Sequence, residues 1–125
     1  MANTYQCYIG GEWVNSSSGD TYETFNPAHT SDVVGTFQSC TVEDTETAIA
    51  AAKAAAVGWA NTPAPQRGSI LLKSLAIMER RGEELARAIT IEEGKGIIDA
   101  RGEIKRAMNI IEYSAGEGRR MFGYT

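Results

Sequence analysis

At Thr41 the apolar residues of this chain change period. Upstream they alternate in short β-rich runs, and downstream they recur every three to four positions almost to the end. All the strand pattern therefore precedes all the helix pattern. No strand alternates with a helix after Ser39, so the chain is not a complete doubly wound sheet and lacks the repeated βαβ units of a dinucleotide site. The expected class is α+β, with short strands and a hairpin over residues 1-40 and a helical layer over 41-125.

Thr41 and Asp44 stand at capping-box spacing, in which the hydroxyl takes an orphan backbone N–H and the acid faces the positive helix end. A helix is expected from about Val42 to Ala60, with Ile49, Ala52, Ala56 and Trp59 on one stripe and many alanines permitting close approach. The run Asn61-Thr62-Pro63-Ala64-Pro65 breaks it and opens the next: Thr62 can cap, and proline suits a first turn. This second helix reaches about Arg81, with Leu71, Leu75 and Met78 on one face and Ile70 and Ile77 widening it. Gly82 reads as a kink or break. A third helix carries Leu85, Ala88 and Ile89 inward and ends at Gly94, a left-handed C-cap. A fourth spans about Ile97 to Met121, where Ile104, Met108, Ile111 and Ala115 keep helical spacing.

Among the strands, Gly10-Gly11 between Tyr8-Ile9 and Glu12-Trp13-Val14 permits the positive φ values of a tight hairpin. Asn15 to Asp20 is a polar turn. Tyr22 to Phe25 alternates as a strand that Asn26-Pro27 ends, since proline has no N–H for the ladder. His29, the sole histidine, is expected in a loop as a surface residue rather than a catalytic base. Val33 to Phe37 forms the next strand, with Gly35 a bulge or close-packing point.

The net charge of -4 offers no basic patch for phosphates, which excludes nucleic acid as the expected partner. The amino terminus lacks a charged region followed by an apolar run, and the Ala48 to Ala56 segment is too short to span a bilayer, so a cytoplasmic protein with no membrane contact is expected. Cys7 and Cys40 have no second ligand at metal spacing; they read as two idle or buried thiols in a reducing compartment, indicating neither a zinc site nor a disulfide framework.

Ile9-Gly10-Gly11-Glu12-Trp13, Asn26-Pro27-Ala28, Trp59 followed by Pro65 and Arg67, Glu92-Glu93-Gly94-Lys95, Ala100-Arg101-Gly102-Glu103 and Tyr113-Ser114-Ala115-Gly116 occur in this order. Each is weak alone. Together they resemble the amino-terminal quarter of the NAD(P)-dependent aldehyde dehydrogenase superfamily, with greatest similarity to bacterial and archaeal members that oxidise semialdehydes such as α-ketoglutaric semialdehyde. The resemblance implies an enzyme that adds a cysteine thiolate to an aldehyde, passes hydride to NAD or NADP, and hydrolyses the thioester to a carboxylic acid. It also implies that the nucleophile, the base and the cofactor-binding glycines lie beyond position 125. The chain would then be an α+β fragment of an α/β enzyme, its four helices packing on a Rossmann-type domain absent from it. No catalytic and no cofactor-binding residue is assigned, Cys7 and Cys40 included. The implied partners are the remainder of the dehydrogenase chain and other copies in a homo-oligomer. The alternative is a self-standing helical module that binds a partner through its apolar faces.

Three local features carry separate expectations. Gly94-Lys95-Gly96 lacks the spacing of a phosphate loop and reads as a helix-ending turn; the resemblance places a proline where this chain has Gly96. The resemblance further suggests a cation site at Glu103, with backbone carbonyls of Thr24 and Phe25, since hard cations take oxygen ligands; the plainer role of Glu103 is pairing with Arg101 or Arg106. Arg67 is expected to bridge to an acid on another helix.

Overall fold

The computed structural model describes residues 3–120 and divides into two compact units, residues 1–60 with 92–94, and residues 61–91 with 95–125. Within the described residues the elements are β1 (Thr4–Tyr5), β2 (Cys7–Ile9), β3 (Glu12–Val14), β4 (Thr21–Asn26), β5 (His29–Gln38), α1 (Val42–Asn61), α2 (Ala64–Glu93) and α3 (Ile97–Glu117).

In the first unit, β2 and β3 form the expected hairpin, with Ile9 opposite Glu12 and both intervening glycines at positive φ, 63° and 94°. Such a two-residue turn matches the twist of the strands it joins. The other sheet has the order β1-β5-β4. β4 and β5 run antiparallel around Pro27-Ala28, where Asn26 is buried and its Oδ1 accepts the Ala28 N–H at 2.9 Å. His29 thus begins β5 rather than lying in a loop, because the Asn side chain closes the turn in two residues. Val34 is the extra residue of a bulge, since Thr24 pairs with Gly35 and Phe25 with Val33. Gly35 is a close-packing point: a Cβ there would lie 2.6 Å from the Tyr5 ring. β1 pairs parallel to β5, Tyr5 opposite Phe37, with these two rings stacked at 5.0 Å. A two-residue parallel strand has no hydrophobic period to announce it, and the sequence pattern does not show it.

α1 begins as the capping box requires. The Asp44 N–H donates to Thr41 Oγ1 at 3.2 Å, and the Thr41 N–H donates to the Asp44 carboxylate at 2.9 Å. None of its residues is buried, and Ile49 and Trp59 of the expected stripe remain 61% and 49% exposed.

The second unit corrects the helix count. α2 runs unbroken through Gly82, so three helices follow the strands among the described residues, not four. One glycine costs a helix only about 1 kcal/mol relative to alanine, and no capping residue or proline accompanies it. The apolar face also continues across it: Leu75, Met78, Leu85 and Ile89 are all half-buried and Ala86 is fully buried, whereas the expected Ala88 is exposed. The start of α2 is likewise shifted. Pro63 carries the carbonyl that accepts the first helical N–H groups, from Gln66 and Arg67, and Thr62 stands one position further upstream. α3 ends at Glu117 with Gly118 as its C-cap, so residues 118–120 form turns rather than the expected helix, and Met121 lies outside the described residues.

The core of this unit is Ala86, Ala100 and Ile104, joined by Leu85, Ile89, Ile97 and Met108. Small residues let α2 and α3 meet closely. A Cβ on Gly68 would lie 2.5 Å from the Ala115 carbonyl oxygen, and one on Gly118 would lie 2.6 Å from that of Ala64.

Candidate functional site

The Glu92 to Glu103 stretch is the turn that the sequence suggests. α2 stops at Glu93, Gly94 takes φ 71°, and α3 starts at Ile97 after Gly96 at φ -63° and ψ 140°. The Gly96 carbonyl accepts the Ala100 N–H at 3.1 Å, which begins the helix. Gly94 also packs on the turn that ends β4: a Cβ there would lie 2.9 Å from the Ala28 nitrogen and 3.4 Å from Pro27 Cβ. Gly94 thus meets the Asn-Pro-Ala turn within the first unit. Lys95 turns to Glu103, its Nζ 2.6 Å from Oε1.

That ion pair replaces the Arg101 or Arg106 pairing expected for Glu103. Arg101 instead reaches across to α2, donating through Nε and Nη2 to the two Glu83 carboxylate oxygens, each at 2.8 Å. Arg87 adds a third contact to Glu83 at 3.2 Å. The paired guanidinium of Arg101 holds the Glu83 carboxyl below the usual range. Of the other expected cation ligands, Thr24 and Phe25 sit on β4 beside the Val34 bulge in the first unit, and Glu103 belongs to the second. No group of three or more His, Cys, Asp or Glu side chains suited to a metal occurs among the described residues. Arg67 lies half-buried in the first turn of α2.

The sequence reading missed how far Asp44 extends its capping role. Its carboxylate also accepts the Ser17 N–H at 3.1 Å, and the Ser16 hydroxyl, with one proton to give, lies 3.2 Å from that carboxylate and 2.8 Å from the Ser39 carbonyl oxygen. The Thr41 backbone N–H above all, then the Ser17 and Ser16 groups, pull the Asp44 pKa from the usual 3.8 to about 2. Gln38 ties the same region together, accepting the Ser16 N–H at 2.8 Å and donating to the Tyr5 carbonyl at 3.1 Å. The signal available was the serine run opposite a capping acid, which by itself names no partner.

These elements form turns, caps and a helix seam. The family model described as the aldehyde dehydrogenase family matches residues 13–125. The chain belongs to the aldehyde dehydrogenase family. It is 46% identical over 121 residues to the α-ketoglutaric semialdehyde dehydrogenase of Bacillus subtilis, covering 97% of this chain and 25% of that protein. It is 42% identical over 113 residues to the α-ketoglutarate semialdehyde dehydrogenase of Haloferax volcanii, covering 90% and 23%. Among solved structures, the NAD-dependent aldehyde dehydrogenase from Sinorhizobium meliloti superposes with a TM-score of 0.92 at 33% identity, over 99% of this chain and 25% of that one. The succinate-semialdehyde dehydrogenase from Burkholderia pseudomallei gives 0.90 at 39% identity, over 97% and 25%. This aldehyde dehydrogenase chain therefore spans about a quarter of the length of the relatives it matches. No helix among the described residues is long and apolar enough to cross a membrane.

Proposed function

We propose that these residues are the amino-terminal scaffold of an enzyme that oxidises a semialdehyde, α-ketoglutaric semialdehyde foremost, to the carboxylic acid with NAD or NADP. The 46% identity to a relative of that name over nearly the whole chain carries the reading. The bound nicotinamide supplies a hydride acceptor. What this chain's own residues supply is positional: Gly94 packs on the Asn26-Pro27-Ala28 turn, and the Glu83–Arg101 pair and the Gly68 contact set α2 against α3. In this proposal the Rossmann-type domain, the thiolate and the oligomer contacts come from outside these residues, and the enzyme is cytoplasmic.

The test is a kinetic comparison of the full-length enzyme on α-ketoglutaric semialdehyde, malonate semialdehyde and an uncharged aldehyde of similar length, each with NAD and with NADP. The highest kcat/KM should fall on α-ketoglutaric semialdehyde; a clear preference for the uncharged aldehyde sinks the substrate reading. The 125 residues alone should produce no NADH or NADPH, and sustained turnover by them would overturn the scaffold role.

The exposure of Ile49, Val57, Trp59, Ile70 and Ile110 favours a second reading, a helical module that binds a partner protein. A reading frame that stops at Thr125 supports it, and one that continues into a Rossmann pattern and a later cysteine motif removes it. Glu103 remains proposed as a cation ligand. A cation there would compete with the Lys95 ammonium for the same carboxylate. Metal-soaked crystals of the full-length enzyme should show density beside Glu103, and an intact Lys95–Glu103 pair without it eliminates the site.

A further inference from the structure

Cys7 and Cys40 are 33 positions apart in sequence, yet their sulfurs lie 3.1 Å apart. The strand register brings this about. β1 runs parallel to β5 with Tyr5 opposite Phe37, so the two chain segments leave the sheet side by side, and the cysteines stand two and three residues past that pair. Gln38 binds the Tyr5 carbonyl and the Ser16 N–H between them, and Ser16 binds the Ser39 carbonyl, so both approaches to the pair are held. Both cysteines are free thiols; Cys40 is exposed and Cys7 half-buried.

We infer that Cys7 and Cys40 are an oxidisable pair that a hydroperoxide converts to an intrachain disulfide. A disulfide needs its sulfurs at about 2.05 Å, so closure asks for a movement of roughly 1 Å, within reach of side-chain rotation. One sulfur attacks the peroxide oxygen, breaking the O–O bond and becoming a sulfenic acid as the first water leaves. The second sulfur then attacks it, forming the S–S bond and releasing the sulfenic oxygen as a second water. Two thiols lose two electrons and two protons, and one hydrogen peroxide becomes two waters. The hydrogen bond to Cys7 pushes the Cys40 thiol up to about 11, so Cys40 keeps its proton at neutral pH.

The full-length protein is treated with equimolar hydrogen peroxide, its remaining thiols are alkylated, and it is digested without reduction. Trypsin does not separate the two cysteines, because no Lys or Arg precedes Lys53; cleavage after Glu12, Glu23 and Glu43 does. The expected product is a linked pair of peptides, one with Cys7 and one with Cys40, resolved by dithiothreitol and lost in Cys40→Ser. In that variant Cys7 should instead over-oxidise. The inference is overturned if both thiols remain alkylated, if sulfinic acids form without a linked peptide, or if either cysteine joins another chain in preference to its neighbour. The linked-peptide readout needs no variant, so a folding failure of Cys40→Ser leaves it decisive.

Discussion

Gly94 is fixed twice, by its φ of 71° and by the Ala28 nitrogen 2.9 Å from where a Cβ would sit. Gly94→Ala should therefore cost more than about 1 kcal/mol in denaturant unfolding, since the left-handed conformation and the clash act together. Gly96 is the opposite case. Its φ of -63° is the value proline fixes, and a Cβ would touch only the Asp99 carboxylate at an ordinary 3.4 Å. Gly96→Pro should stabilise the protein by about 0.4 to 1 kcal/mol by restricting the unfolded chain; a loss of that size would mean the turn does not hold the extended geometry. Asp44 gives the pH dependence at this scale. Its pKa is depressed from 3.8 to about 2, so its contribution to stability is present above about 4 and is lost as the pH falls through 2. Melting temperatures measured between pH 5 and pH 2 should fall, and Asp44→Asn should flatten that fall relative to wild type. The Thr41–Asp44 cap was legible because its spacing is local. The Ser16 and Ser17 contacts were not, because they depend on a turn more than twenty residues away in sequence.

At the scale of elements, α2 shows what periodicity can and cannot decide. The stripe of Leu75, Met78, Leu85 and Ile89 is continuous at helical spacing, but a glycine in its middle reads as punctuation when no partner is in view. The partner is α3. A Cβ on Gly82 would lie 3.9 Å from Ile104 Cγ2, an ordinary contact with no clash. Gly82→Ala should then raise stability by about 0.8 to 1 kcal/mol, the helix-propensity difference, measured by urea unfolding. Gly68→Ala should do the reverse, costing about 1 to 3 kcal/mol, because its Cβ meets the Ala115 backbone oxygen at 2.5 Å. The same substitution in one helix thus has opposite signs at two positions, and only the packing distinguishes them. The cysteine pair follows the same rule. Spacing in sequence gives no reason to join Cys7 to Cys40, and the parallel β1–β5 register, invisible in a two-residue strand, supplies it.

For the whole molecule, the decisive quantity is how little of its apolar surface is covered. No large side chain among the described residues is fully buried, and the buried hydrophobic residues are Ala86, Ala100, Ile104 and Ala115. Ile98 is 79% exposed, Val57 70% and Ile49 61%. A buried aliphatic side chain contributes about 1.5 to 3 kcal/mol, so leaving many of them in water forfeits most of what balances chain entropy. The sequence shows the apolar stripes but cannot show which of them meet each other, since a stripe looks the same whether its partner lies within these residues or outside them. The 125-residue chain studied alone should therefore bind a hydrophobic dye and associate as its concentration rises, and it should unfold with a shallow denaturant slope. Sedimentation velocity across a hundredfold concentration range checks this. A monomer at every concentration that melts in one sharp transition would show that these faces need no cover and would weaken the scaffold reading. Association abolished by Ile49→Lys or Val57→Lys would place the sticky surface on α1, the helix with no buried residue.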